Sequence, residues 1–168
     1  LDEKVTVSEL IGVNTDPFSH QVIINNGFNM GAFLGQPVLD ATGVMGQIVS
    51  TSAFTSRVLL ITDADHAIPV EVNRNGLRSV AYGLGQYEYL ALQDLSDTAD
   101  IEVGDILVSS GLGLRFPKGY PVAKVIEVRH LAGQDFAKVI AKPTAQLKRS
   151  RHLLLIETPQ RQSTVEKE

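Results

Sequence analysis

Short apolar runs with a two-residue period recur along most of the chain. In the segment KVTVSELIGV, Lys4 to Val13, apolar and polar residues alternate, and Gly, Pro, Asn or Asp bound most of the other runs. This alternation is typical of strands with one buried face, and the punctuation marks the turns between them. Strands are predicted at residues 4–13, 21–25, 36–40, 45–50, 57–62, 68–72, 78–83, 87–92, 105–110, 121–130, 136–143 and 151–157.

About a dozen strands and almost no helical periodicity predict an all-β fold. That number is too large for one small barrel and suits two β-barrels of roughly six strands each. The least apolar bridge between the halves is Asn73 to Arg78, which predicts a first barrel over residues 1–77 and a second over residues 78–157. The last strand, within residues 148–157, can instead complete the first barrel, and the sequence leaves both placements open.

The remaining segments are short or polar. Asp94 to Ile101 is a candidate for a short helix, and Leu1 to Lys4 for a single turn. The tail over residues 158–168 is polar and lacks periodicity, so it is predicted to be a mobile end.

Composition narrows the possible functions. Hydrophobic residues make up 43% of the chain and aromatic residues only 6%, so a core of Val, Leu, Ile and Ala is predicted. The net charge of −4 disfavours a general nucleic-acid binder, which needs a basic face. The run LKRSRH, Leu147 to His152, is the one basic patch, and we interpret it as an exposed strand end.

No cysteine is present, so disulfides and thiolate chemistry are excluded. No apolar run approaches the ~20 residues that cross a bilayer. The first residue is Leu rather than Met. We therefore expect a processed or truncated piece, from which any targeting segment is missing.

The segment GDILVSSGLGLRFPKGYPV, Gly104 to Val122, is the strongest candidate for chemistry. A phosphate-binding loop needs a helix directly after its glycines, but Pro117 and a predicted strand follow here. We interpret the segment as a barrel corner, in which glycines adopt positive φ and Pro117 restricts its own φ. The predicted turn residues are Gly104, Gly111, Gly113, Pro117 and Gly119.

A serine hydrolase is the alternative. His66, then Asp94 or Asp105, then Ser110 follow the chain order of chymotrypsin-like proteases, which are also double β-barrels. Ser110 lacks the preceding Gly-Asp of those enzymes, and many residue sets satisfy such an order by chance. No catalytic residue is therefore predicted.

The cluster DADHA, Asp63 to Ala67, combines two carboxylates and an imidazole, which can bind a cation. It lies between two predicted strands, and His20 and His130 stand apart from it. We interpret it as a polar turn, and no metal or cofactor is predicted.

Aromatic residues are the candidates for partner binding. Tyr87 and Tyr89 are predicted on one face of a strand, and Phe33 lies in an apolar loop with Phe28, Met30 and Leu34. These side chains either pack inside a barrel or, where exposed, anchor a partner, since Tyr is enriched at interface hot spots.

Several strings together resemble the bacterial rod shape-determining protein MreC. They are DPFSHQVIINNG, GVMGQIVSTSAFTSRVLLITDADHAIPV and GDILVSSGLGLRFPKGYPVAKV, with KPTAQLKRSRHLLLIE leading into the last strand. The similarity runs from about Ile11 to Glu157. Leu114, Lys148 and Gln36 depart from the family pattern, which allows a divergent or differently partnered member.

The resemblance implies a non-enzymatic scaffold of the cell-elongation complex. It implies two chymotrypsin-like barrels on the periplasmic side of the cytoplasmic membrane, held by an N-terminal anchor and coiled coil that this chain lacks. The implied partners are the elongation-specific penicillin-binding transpeptidase, MreD, RodZ, MreB filaments and a second copy of the protein. Binding and activation of the synthase maintain rod shape in this interpretation.

Overall fold

The computed structural model describes residues 4–14, 16–114 and 116–157. Residues 1–3 of the predicted N-terminal turn and the whole predicted tail lie outside these ranges. Within the described ranges the strands are β1 (Val5–Val13), β2 (Gln21–Ile24), β3 (Pro37–Asp40), β4 (Gly43–Thr51), β5 (Ser56–Leu60), β6 (Ala67–Val72), β7 (Arg78–Gly83), β8 (Leu90–Leu92), β9 (Leu95–Ser96), β10 (Ile106–Ser109), β11 (Pro121–His130), β12 (Phe136–Pro143) and β13 (His152–Ile156). Helix in these ranges is limited to single 3₁₀ turns at Phe28–Met30 and Leu112–Leu114.

The first sheet closes into a barrel in the order β1-β13-β3-β4-β5-β2, with antiparallel neighbours. The register shifts within the β1–β2, β3–β4 and β4–β5 pairs, so the strands are bulged there. Bulges increase strand twist and bending, which a barrel of only six strands requires.

The second sheet runs β11-β10-β6-β7-β8-β12, and a long β11–β12 hairpin closes it. β9 adds to β12 by pairing with Phe136 and Ala137. The prediction of an all-β fold with two six-stranded barrels is confirmed.

Strand pairing divides the chain at a different point from the predicted one. β6 pairs with β7 and β10, so it belongs to the second barrel although it precedes residue 77. β13 lies between β1 and β3 in the first barrel. The polar segment Asn73 to Arg78 is therefore a hairpin turn within the second barrel. Polarity marked a solvent-exposed turn there, and it did not mark a domain boundary.

Two local predictions are wrong. The helix predicted over Asp94 to Ile101 is instead β9 followed by a turn, in which the amide of Thr98 donates to Ser96 Oγ at 3.2 Å. The strand predicted over residues 87–92 begins only at Leu90, because the amide of Tyr89 donates to the Gln86 carbonyl in a turn. In the first of these two segments, the Ser96 hydroxyl accepts a hydrogen bond from an amide that a helix would use. Serine and threonine hydroxyls commonly compete with helical hydrogen bonds in this way.

The buried apolar residues form a cluster that draws on both barrels. It consists mainly of Val, Leu, Ile and Ala, and Phe116 is the aromatic member among its fully buried residues. None of the described helices has the length and apolar character that crossing a bilayer requires.

Backbone contacts bring the two barrels close together. A Cβ built on Gly83 of β7 would lie 2.0 Å from the Asp63 carbonyl oxygen, in the segment that leads from β5 to β6. On the other side, Asp40 at the end of β3 accepts hydrogen bonds from Gln146 and Ser150, in the linker from β12 back to β13. The barrels are thus joined at two connecting segments, one through a close main-chain approach and the other through the Asp40 carboxylate.

Candidate functional site

The glycine-rich segment after β10 forms a corner between β10 and β11. Gly111 and Gly113 have φ of 79° and 75°, and Gly104 and Gly119 also lie in the positive region that side chains disfavour. Ser109 is fully buried, and its hydroxyl donates to the Pro117 carbonyl and accepts from the amide of Tyr120 at 3.0 Å. Both hydrogen-bonding roles of that hydroxyl therefore stabilise the corner.

The residues of the hydrolase alternative each make structural contacts. Ser110 Oγ accepts from the amide of Leu112 at 3.2 Å. His66 Nε2 lies 3.1 Å from Gln47 Oε1, and its ring meets Phe116 edge-on with centroids 6.1 Å apart. These contacts place the imidazole in the packing between the barrels.

Asp105, the buried acid of that alternative, is paired with a cation. Arg74 donates to both of its carboxylate oxygens, from Nε at 2.9 Å and from Nη2 at 3.0 Å. These hydrogen bonds hold the pKa of the Asp105 carboxyl below its ordinary value. Arg74 also binds Asp100, and Asp94 is exposed. Asp105 therefore fixes the loop before β10 against the β6–β7 turn.

The DADHA segment is held as a turn by its first carboxylate. Asp63 Oδ1 accepts from the amide of Asp65, and Oδ2 accepts from the amide of His20, each at 2.8 Å. The described residues contain no group of three or more His, Asp or Glu side chains arranged to hold a metal ion.

Tyr87 occupies the junction between the barrels, in the turn before β8. Its ring stacks on the buried ring of His20 with centroids 3.8 Å apart, and Lys148 Nζ lies 5.5 Å from the Tyr87 centroid. Burial lowers the pKa of His20 and raises that of Tyr87. Tyr87 and Tyr89 do not share a strand face, which corrects the predicted pairing. Both are half-buried.

Several of the exposed apolar side chains lie on two adjoining loops of the first barrel. The amides of Phe28 and Asn29 donate to the carbonyls of Ser52 and Ala53, so the β2–β3 loop lies along the β4–β5 turn. Phe28, Leu34 and Phe54 are 56%, 67% and 63% exposed. We call the set Phe28, Met30, Phe33, Leu34 and Phe54 the aromatic loop patch. Phe33 is its half-buried member.

Sequence reasoning missed Phe54 as a member of this patch. The sequence did contain a signal for Phe54. This residue lies in the otherwise polar string STSAFTS, between two predicted strands, and an apolar side chain in a turn is not expected to reach the core. Isolated exposed apolar residues are common, whereas a group of them on neighbouring loops is a candidate surface for partner binding.

The fold and these surfaces define a double β-barrel with an exposed apolar patch on the loops of the first barrel. The family model "Rod shape-determining protein MreC, barrel core" matches residues 10–157. The chain belongs to this MreC family. It is a family of cell shape-determining proteins and not of enzymes, which overturns the hydrolase alternative.

Relatives are similar over most of this chain. The cell shape-determining protein MreC of Haemophilus influenzae and that of Escherichia coli are each 48% identical over 92% of this chain. The chain spans 44% and 42% of their lengths, which is less than half of each. A crystal structure of MreC from Pseudomonas aeruginosa is 60% identical, covers 92% of this chain and 99% of that one, and superposes with a TM-score of 0.89.

A more distant structure has the same fold. It is a complex between penicillin-binding protein PBP2 and MreC from Helicobacter pylori, and its MreC chain is 18% identical with a TM-score of 0.74. At that identity the comparison shows the shared fold, and the penicillin-binding partner is a property of the Helicobacter pylori protein.

Proposed function

We propose that this chain is a periplasmic scaffold module of bacterial cell elongation, which binds the elongation-specific penicillin-binding transpeptidase and favours its active state. Membership of the MreC family supports the role in cell shape. The PBP2–MreC complex from Helicobacter pylori supports the class of partner. The exposed aromatic loop patch is the observation that carries the proposal, because it is a ready anchor for that partner.

The partner surface is made of side chains rather than of a strand edge. The strands of both barrels pair into closed rings, so most of their backbone groups already have partners. Affinity must then come from burying apolar side chains, and Phe28, Leu34 and Phe54 each expose more than half of their surface. A few buried aromatic residues supply most of the affinity of many interfaces.

Activation requires no catalytic group in the scaffold. A scaffold that binds the active conformation of an enzyme more tightly shifts the population toward that conformation. A preference of about 1.4 kcal/mol changes the ratio of active to inactive enzyme roughly tenfold. A preference of this size would result if one or two phenylalanines were buried only in the complex with the active enzyme, because full burial of one such side chain is worth about 1.5–3 kcal/mol.

The wider assembly belongs to the same proposal. The full-length protein is proposed to be anchored in the cytoplasmic membrane and linked to MreD, RodZ and MreB, with self-association between copies. Family membership supports these links. Tyr87 and Tyr89 remain candidate contacts, although the packing of Tyr87 on His20 favours a structural role for that ring.

Charges in the aromatic loop patch are expected to weaken transpeptidase binding strongly. In the variant Phe28→Asp with Phe54→Asp, two side chains that would be buried at the interface carry an uncompensated charge, so the affinity should fall by roughly a hundredfold. Surface-immobilised transpeptidase ectodomain from the same bacterium, titrated with native and variant chains, measures the change.

The matched control is Phe18→Asp. Phe18 is the most exposed of these phenylalanines, at 88%, and lies in the β1–β2 loop at the other end of β2. Its substitution should leave the affinity unchanged. If the native chain and the doubly substituted chain bound with equal affinity, the patch would be excluded as the binding surface. If the native chain did not bind, the transpeptidase would be excluded as the partner.

A further inference from the structure

A groove follows the junction of the two barrels. It consists of two adjoining cavities of about 500 and 430 Å³, both of which are lined by Tyr87, Leu147, Lys148 and Arg149. The linker from β12 to β13 forms its length, and Leu10 to Val13 of β1 form one side. The amide of Leu10 donates to the Arg151 carbonyl at 2.8 Å, so the linker and β1 are fixed to each other.

The charge of the groove is opposite to that of the molecule. Lys142, Lys148, Arg149 and Arg151 line it, with Glu88 as the single carboxylate, whereas the whole chain has a net charge of −4. Among the described residues, none of the four cations has a carboxylate within ion-pair distance. Four cations that have no carboxylate partner in the described part of the chain, gathered along one groove of an acidic protein, indicate an anionic ligand.

The floor of the groove is apolar, which adds a second requirement for the ligand. Ile11 and Val13 on the outer face of β1 are more than half exposed, and the apolar side chain of Leu147 also lines the groove. Tyr87 is fixed between His20 and Lys148, so its ring forms a rigid wall rather than a free stacking surface. A ligand that fits must present negative charge to the cations and apolar groups to the floor.

We propose that this groove binds an extended acidic peptide segment of a partner protein, in which carboxylates alternate with apolar side chains. Successive side chains of an extended chain point to opposite faces. Apolar residues of such a segment lie on Ile11 and Val13, beside the buried Leu147, and the carboxylates face Lys148, Arg149 and Arg151. A lone phosphate group would pair with the cations and leave the apolar floor exposed, which favours the peptide.

The groove is separate from the aromatic loop patch. The two surfaces share no lining residue, so the proposal does not depend on transpeptidase binding.

The test uses a fluorescein-labelled peptide of about eight residues in which glutamate alternates with valine. Its fluorescence anisotropy is expected to rise saturably with the native chain, and the affinity should fall as salt increases from about 50 to about 300 mM. Lys148→Glu with Arg149→Glu should weaken binding by roughly a hundredfold. The same peptide with glutamine in place of glutamate should not bind measurably.

Two further variants make the result specific. Lys142→Gln with Arg151→Gln removes groove charge without touching Lys148, which packs on Tyr87, and should weaken binding roughly tenfold. Lys138→Glu with Arg78→Glu makes the same charge change as the first variant outside the groove, and should leave binding within about twofold. Thermal unfolding of each variant verifies that it is folded.

Three results would overturn the proposal. The first is no anisotropy change with the native chain. The second is equal weakening by the groove and control variants, which would indicate general charge attraction. The third is binding to phosphatidylglycerol vesicles, lost in the groove variants, when the peptide does not bind. That result would assign the groove to a phosphate headgroup.

Discussion

Replacement of Asp40 by alanine is expected to destabilise the protein by roughly 3 kcal/mol and to lower its melting temperature by about 10 °C. The side chain is buried, with 5% of its residue exposed. One carboxylate oxygen accepts from the amides of Thr42 and Gly43 and from the Thr42 hydroxyl, and the other accepts from Gln146 and Ser150 at 2.7 Å each. Removing the carboxylate leaves several of these donors buried without an acceptor.

The loss of stability in Asp40→Ala should be largest near neutral pH. Burial by itself raises the pKa of the Asp40 carboxyl, but the hydrogen bonds from Ser150, Gln146 and Thr42 outweigh it and hold that pKa below its ordinary value. The stabilisation by a carboxyl group with a lowered pKa is fully present above the pKa of that group in the unfolded chain, which is about 4. It is lost as the pH falls through the lower pKa of the folded chain. The native chain should therefore lose more stability than Asp40→Asn between about pH 6 and pH 3.

Urea denaturation at several pH values measures both effects. Asp135→Ala is the matched control, because it removes an exposed carboxylate in the β11–β12 turn and should change stability by less than about 0.5 kcal/mol. If Asp40→Ala were as stable as this control, the linker would not be held to the first barrel through the carboxylate.

Replacement of Gly83 by alanine is the second large effect, and we expect a destabilisation of roughly 3 kcal/mol or more. The new Cβ would lie 2.0 Å from the Asp63 carbonyl oxygen and 2.4 Å from the Thr62 carbonyl carbon. Both are backbone atoms, so no side chain can rotate away. The amide of Gly83 also donates to the His66 carbonyl, which would have to move with the segment that joins the barrels.

Gly12→Ala is the control for Gly83→Ala. Gly12 also lies in a strand, its φ is not in the positive region, and its nearest neighbour would be 3.5 Å from the added Cβ. Chemical denaturation should show little change for Gly12→Ala and a large fall for Gly83→Ala. Similar stabilities of the two variants would mean that the barrels can separate at this contact without cost.

Both predictions concern how rigidly the barrels are joined, and the joint also forms the groove. Asp40 positions the linker that carries Lys148 and Arg149, and Gly83 brings the second barrel against Thr62 and Asp63. Asp63 in turn accepts a hydrogen bond from the amide of His20, and the ring of His20 stacks on that of Tyr87. Loosening either contact should therefore also weaken peptide binding in the groove.

Local sequence patterns were sufficient for most of the strands and for the turn glycines. Alternation predicted β11 and β12 with their observed ends, and glycine spacing predicted the corner at Gly111 and Gly113. Such features depend on side-chain periodicity and on φ preferences, which neighbouring residues determine. The same local signals were ambiguous in short polar segments, which is why the Asp94 to Ile101 helix was wrong.

The sequence by itself determined the all-β class, the positions of most strands and turns, and the family. Only the tertiary structure decided that β6 belongs to the second barrel, that Phe54 joins Phe28 at one surface, and that Asp40 meets donors more than a hundred residues away. Periodicity reports which face of a strand is buried and not which strand lies beside it. Strand partners and shared surfaces depend on barrel closure, which brings together segments that no local pattern relates.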